Sequence, residues 1–130
     1  MRQQARPGIN RGKHRIRLDG AKKPKYGNRK TTVFGITFDS KREAERYLVL
    51  RSMEKRCEIY GLRLQVPFEL IPDTVVEGEK IRKVVYIADF VYKTPDGKTV
   101  VEDAKGMRTD VYKIKKKLMA MVFGVLIKEV

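Results

Sequence analysis

Between Val84 and Gly106 the chain reads VVYIADFVYKTPDGKTVVEDAKG, two runs of strand-forming residues separated by Pro95-Asp96-Gly97. β-Branched and aromatic runs interrupted by Pro-Asp-Gly specify an antiparallel hairpin. Acids sit awkwardly in such strands. Asp89 lies within the first run and Asp103 near the end of the second, among valines and isoleucines, where a carboxylate costs free energy unless something partners it. Side chains two apart on a strand share a face. Asp103 and Lys105 therefore point one way and Glu102 the other, and the same alternation groups Asp89 with Val85, Ile87 and Val91. The hairpin is expected to bring two carboxylates and one ammonium to a single spot, equipment for holding a divalent cation and a phosphate.

Size and charge limit the context. The 130 residues suit one domain with a modest core, preceded by a basic segment. A net charge of +14 exceeds ordinary solubility tuning and points to a polyanion, with nucleic acid the first choice and an anionic membrane surface the second. There is no apolar run of about 18 residues and no apolar signal core near the N-terminus, so neither a membrane span nor secretion is expected. Cys57 is the single cysteine, which excludes an intramolecular disulfide and a cysteine-based zinc site. It falls in a helical pattern and is expected to be a buried, reduced thiol, in keeping with a cytoplasmic protein (host cytoplasm for a phage-encoded one).

Residues 1–30 form a distinct segment with eleven Lys or Arg, one acid and several Gly and Pro. It reads as a flexible basic arm whose clustered charge is rewarded by counterion release from DNA phosphates. Arg11, Lys13, Arg15, Arg17, Lys22, Lys23, Lys25, Arg29 and Lys30 are its candidate contacts. A solvated tail without a role is the plainer alternative. Residues 31–130 read as the folded domain. TTVFGITF is a short strand or hairpin bending at Gly35, and a helix runs from Asp39-Ser40 to about Cys57. LRLQVPFELI is a strand, and Pro72-Asp73 opens a polar turn lasting to about Lys80. The long hairpin follows. Thr109 caps a second helix with Val111, Ile114, Leu118 and Met121 as its apolar stripe, and VLIKEV is a final strand. The order β–α–β–β–β–α–β predicts an α/β (α+β) fold, a mixed sheet carrying two helices.

A third acid joins the hairpin pair. Ser40-Lys41-Arg42-Glu43 has the form of a capping box. Glu43 also precedes Tyr47 by four residues and Leu50 by seven, which turns it toward the sheet.

The order S-x-x-E on an early helix, D on a strand, a hairpin, then (D/E)-x-K resembles the PD-(D/E)xK nucleases. FDSKREAERY, YIADFVY, VVEDAKG and TDVYKIKKKL are similar to small phage-encoded endonucleases of that superfamily, whose relatives include Holliday junction resolvases and transposon end-cleaving nucleases. The resemblance covers about Phe34 to Val130. Ala88 replaces the proline of the motif's name, and Asp103 replaces the more frequent glutamate. Alternation favours Asp103 over its neighbour Glu102 as the second acid, whereas a bulge at the strand end would reverse them.

The resemblance implies a restriction-endonuclease-like mixed sheet flanked by helices, and a Mg²⁺-dependent DNA endonuclease with Mn²⁺ as a substitute. Phosphodiester hydrolysis needs a hydroxide near neutral pH and relief of the charge growing on phosphorus, which a carboxylate-held Mg²⁺ supplies. Asp89, Asp103 and the Ala104 carbonyl are then the metal ligands, with Glu43 holding a second ion or orienting water. Lys105 contacts the phosphate or orients the nucleophile. Gln65 on the preceding strand is a candidate orienter, with a plain surface glutamine as the alternative. Thr109, Lys113 and Lys116 are candidate phosphate contacts beyond the active strand, with a solvated basic face as their plainer reading. A homodimer acting on four-way junctions or other branched DNA is the first reading. A nuclease or nickase for linear DNA, and a noncatalytic basic nucleic-acid-binding protein, remain alternatives.

Overall fold

The computed structural model describes residues 29–104 and 107–130. The expected arm contacts Arg11, Lys13, Arg15, Arg17, Lys22, Lys23 and Lys25 lie outside the described residues, as does Lys105. The chain divides into two units, residues 1–41 and Arg42–Val130. In the first, β1 (Thr31–Val33) and β2 (Ile36–Phe38) form an antiparallel hairpin. Phe34 and Gly35 make its turn with φ of 50° and 78°, a region where glycine is at ease. Nearby, Lys30 makes an exposed ion pair with Asp39 at 3.7 Å.

The second unit holds the acids. α1 (Lys41–Lys55) buries Glu43, Ala44, Tyr47 and Leu50, one turn after another along one face, as the spacing predicts. It closes with a left-handed residue: Cys57 has φ 60°, its N–H reaches Glu54 O and the Glu58 N–H reaches Met53 O. That is a Schellman stop. Cys57 is consequently exposed beyond the helix end, which corrects the buried thiol expected of it.

β3 (Tyr60–Ile71), β6 (Val84–Lys93), β7 (Thr99–Asp103) and β8 (Lys128–Glu129) form a four-stranded sheet in the order β3-β6-β7-β8. The first three run antiparallel to their neighbours, and β8 joins β7 in parallel after the helix α2 (Asp110–Phe123). The fold is thus α+β with a mixed sheet. The expected polar turn after Pro72 is instead a small hairpin of β4 (Thr74–Val76) and β5 (Glu79–Ile81), with Glu77-Gly78 at its tip. Three-residue strands with charged flanks carry too little alternation to be read from sequence.

Between α2 and the sheet lies the core: Leu70, Tyr86, Ala88, Val91, Val101, Tyr112, Met119 and Ile127. Thr109 caps α2 by accepting the Tyr112 N–H at 3.1 Å, as expected. Of the expected apolar stripe only Leu118 packs against the core. Val111, Ile114 and Met121 are exposed, and the inward face is Tyr112 and Met119, with Leu118 packed beside them; the exposed Phe123 meets Phe68 edge-on at 5.3 Å. Tyrosine hides this stripe in the sequence: its ring is buried while its hydroxyl donates to Glu129 at 2.8 Å.

Val91 joins Tyr86 and Ala88 in the core, so strict alternation fails between Ala88 and Val91, and the expected grouping of Val91 with Asp89 is corrected. Phe90, Val91 and Tyr92 are all buried. The break falls opposite Gln65, which adopts a left-handed backbone with φ 51° between the pairs Leu64↔Phe90 and Val66↔Ala88. A left-handed residue re-aims its strand, as bulges do beside active sites.

Candidate functional site

Three carboxylates meet where β6 and β7 approach the start of α1. Asp89 is half-buried, while Glu43 and Asp103 are buried. Gln65 Nε2 donates to Asp89 Oδ1 at 3.2 Å, and the Ala104 N–H donates to Asp89 Oδ2 at 2.9 Å. The Tyr86 hydroxyl donates to Asp103 Oδ2 at 2.7 Å.

Asp89 reports how closely the acids face one another. Burial pushes its carboxyl up to about 6, and Glu43 adds to the rise through a hydrogen bond and its charge. The Ala104 N–H and side-chain hydrogen bonding with Asp103 pull in the opposite direction. A like charge at short range favours the protonated form of Asp89, in the same direction as its burial. The Tyr86 phenol is raised far above its usual range by burial and by the Asp103 carboxylate, so it serves Asp103 as a donor.

Glu102 occupies the opposite side of β7. It is wholly buried and receives a two-pronged contact from Arg46 of α1, Nε to Oε1 at 2.8 Å and a terminal nitrogen to Oε2 at 2.7 Å. The Tyr92 hydroxyl also donates to it, and Lys128 Nζ stands 3.9 Å away. Burial alone would raise the Glu102 carboxyl. The hydrogen bonds from Arg46 and Tyr92 and the Arg46 charge outweigh burial and hold it below its ordinary value. Asp103 bonds instead to Tyr86 of the α2-side core, so the two neighbouring acids have the separate faces that alternation predicts.

Among the further candidates, Thr109 spends its hydroxyl on the α2 cap, Lys113 is exposed, and Lys116 pairs with Glu129 at 2.9 Å. Arg29 is exposed, and its carbonyl accepts from the Thr31 hydroxyl. Glu129 also receives Arg108 and Tyr112, and the hydrogen bonds from Arg108, Lys116 and Tyr112 bring its carboxyl down to about 2. Sequence reading missed Tyr86, Arg46 and Glu129. Arg46 carried a usable signal, since it sits one turn after Glu43 on the same helix. A cleft of about 390 Å³ between α1 and β3, lined by Tyr47, Arg51, Glu54, Lys55, Leu62 and Leu64, lies at the far end of α1 from Glu43.

Among the described residues, no group of three or more His, Cys, Asp or Glu side chains is set in an arrangement that could hold a metal ion. The carboxylates turn toward one another and toward Gln65, Ala104 and Tyr86. Their chemistry still fits a hard cation: the donors are carboxylate oxygens, and the part of the Asp89 rise that comes from Glu43, second to burial, is what a divalent ion would relieve. No helix among the described residues is long and apolar enough to cross a membrane.

A family model described as "Protein of unknown function (DUF1064)" matches residues 23–128. The chain belongs to the DUF1064 family. The matched region includes Glu43, Asp89, Asp103 and Lys105 together with the last lysines of the basic segment. No curated protein and no solved structure matches the chain.

Proposed function

We propose that the chain is a metal-dependent DNA endonuclease of the PD-(D/E)xK type, a homodimer that cuts four-way junctions or other branched DNA in the cytoplasm. The observation that carries this reading is the meeting of Glu43, Asp89 and Asp103 at one end of a mixed sheet. Asp89, from a strand, is pushed toward protonation first by burial and then by Glu43 from the helix, while Asp103 from the next strand shares a hydrogen bond with it. A protein that used its acids only for packing would gain nothing from that repulsion. The helix–strand–strand–strand–helix–strand order of the two helices and the four-stranded sheet, and the +14 charge, support the same reading.

In this mechanism Asp89 and Asp103 would hold Mg²⁺, or Mn²⁺ in its place, with Glu43 completing the oxygen set. When bound there, the ion supplies an activated water and neutralises charge on the phosphate. Gln65 and the Ala104 N–H fix the orientation of the Asp89 carboxylate, and Tyr86 fixes that of Asp103. Lys105, two residues after Asp103, serves the scissile phosphate. The arm lysines and arginines hold flanking phosphates.

The competing reading, a noncatalytic binder with structural acids, draws on the protein partners that Asp89 and Asp103 already have. Incubating purified protein with labelled four-way junction and with matched duplex, in Mg²⁺ or in EDTA, separates the two. The nuclease reading expects Mg²⁺-dependent cuts, stronger on the junction. Shifted but intact DNA under every condition supports the binder, and equal cutting of duplex supports a linear-DNA nuclease.

A further inference from the structure

We propose that the part-buried Arg46–Glu102 ion pair is a positioning clamp that sets the level of α1 against β7, and thereby holds Glu43 at the right height to meet Asp89 and Asp103. This inference rests on the metal-dependent reading above.

The placement of the pair motivates it. Arg46 lies three residues after Glu43 on α1, about 4.5 Å along the axis. Glu102 immediately precedes Asp103 on β7 and faces the other way. One rigid fork thus joins the element carrying one acid to the element carrying another. The flat guanidinium grips both Glu102 oxygens, a geometry that specifies orientation as well as distance.

The helix needs such a fix. Its buried apolar side chains are only Ala44, Tyr47 and Leu50, while Leu48 and Val49 are exposed. A thin apolar face resists sliding poorly, and a slip of one turn would carry Glu43 about 5.4 Å from its partners. An ion pair with one partner wholly buried and the other largely so is also a poor device for stability alone, because desolvation offsets much of the attraction, whereas fixing register is the best-attested use of such pairs.

The test separates stability from positioning. In one variant the trio is made apolar, Arg46→Met with Glu102→Leu and Tyr92→Phe, so that no buried charge or hydroxyl is left stranded and only the exposed Lys128 loses a partner. Arg46→Lys, which keeps the charge but loses the fork, is the milder companion. The readouts are thermal unfolding and Mn²⁺ affinity by electron paramagnetic resonance without DNA.

The expected result is cooperative unfolding at or above the wild-type midpoint for the apolar trio, with Mn²⁺ bound about 10- to 100-fold more weakly, the range for lost outer support of a metal site. Adding Glu43→Gln to the trio should weaken binding little further, since Glu43 has already lost its place. Arg46→Lys should lose affinity in the same direction. Wild-type Mn²⁺ affinity in either variant overturns the clamp, as does an undiminished Glu43→Gln effect in the trio. A failure of the nuclease reading looks different: wild type and Asp89→Asn would then bind Mn²⁺ alike, leaving no ion for the clamp to serve.

Discussion

At the scale of single residues, the site is a balance between acids that repel and neighbours that restrain them. Asp89→Asn and Asp103→Asn are each expected to abolish cleavage while DNA binding is kept or tightened, because the variants lose a metal ligand and also lose repulsion of phosphate. Gel-shift and cleavage assays on the same preparation check this. The pH dependence has a definite sign. The Asp89 carboxyl titrates near 6 in the folded chain and near 3.8 when unfolded, so the folded state holds the proton more tightly. Its contribution is therefore most favourable below about pH 4 and is lost as pH rises through 6. Without metal, Asp89→Asn should unfold at a higher temperature than wild type at pH 8, and that advantage should shrink toward pH 4. Thermal melts at the two pH values decide it; an advantage that does not change with pH would place Asp89 in a less crowded setting.

At the scale of elements, strands and helix caps were legible and the α2 face was not. Alternation placed Asp103 and Glu102 on separate sides of β7, and the partners Tyr86 and Arg46 agree. The same rule failed at Val91, because both strands change aim where Gln65 turns left-handed opposite Asp89, and no residue type announces that conformation. On α2 the choice of Val111, Ile114 and Met121 followed hydrophobicity, whereas packing chose Tyr112, whose hydroxyl has Glu129 to satisfy it. The acids themselves stood out because they were costly where they stood. Arg46 stood out less: its place one turn after Glu43 was a signal, but an arginine on a charged helix looks solvated until its buried partner is known. The caps yield a direct prediction: Thr109→Ala should cost about 1 kcal/mol in urea unfolding through loss of the Tyr112 N–H acceptor. Gly124→Ala should cost about 1–2 kcal/mol, because Gly124 ends α2 at φ 67°.

At the scale of the whole molecule, the proposed function assigns binding to the basic charge and chemistry to the acid site. Removing residues 1–25 takes away nine Lys or Arg. Each lost phosphate contact should flatten the plot of log affinity against log salt by about 0.9, while turnover at saturating DNA survives. An unchanged slope would mean that the arm takes no part in binding. Everything else follows from the claim that Glu43, Asp89 and Asp103 are a metal-dependent nuclease site. The most direct measurement of it is single-turnover cleavage of a four-way junction titrated with Mg²⁺, for wild type and Asp89→Asn, with every DNA strand pre-bound. The account predicts a rate that saturates with Mg²⁺ in wild type, vanishes in EDTA, and is absent in Asp89→Asn at any Mg²⁺ concentration. Cleavage by Asp89→Asn at the wild-type rate, or wild-type DNA bound yet uncut at every Mg²⁺ concentration, would contradict it.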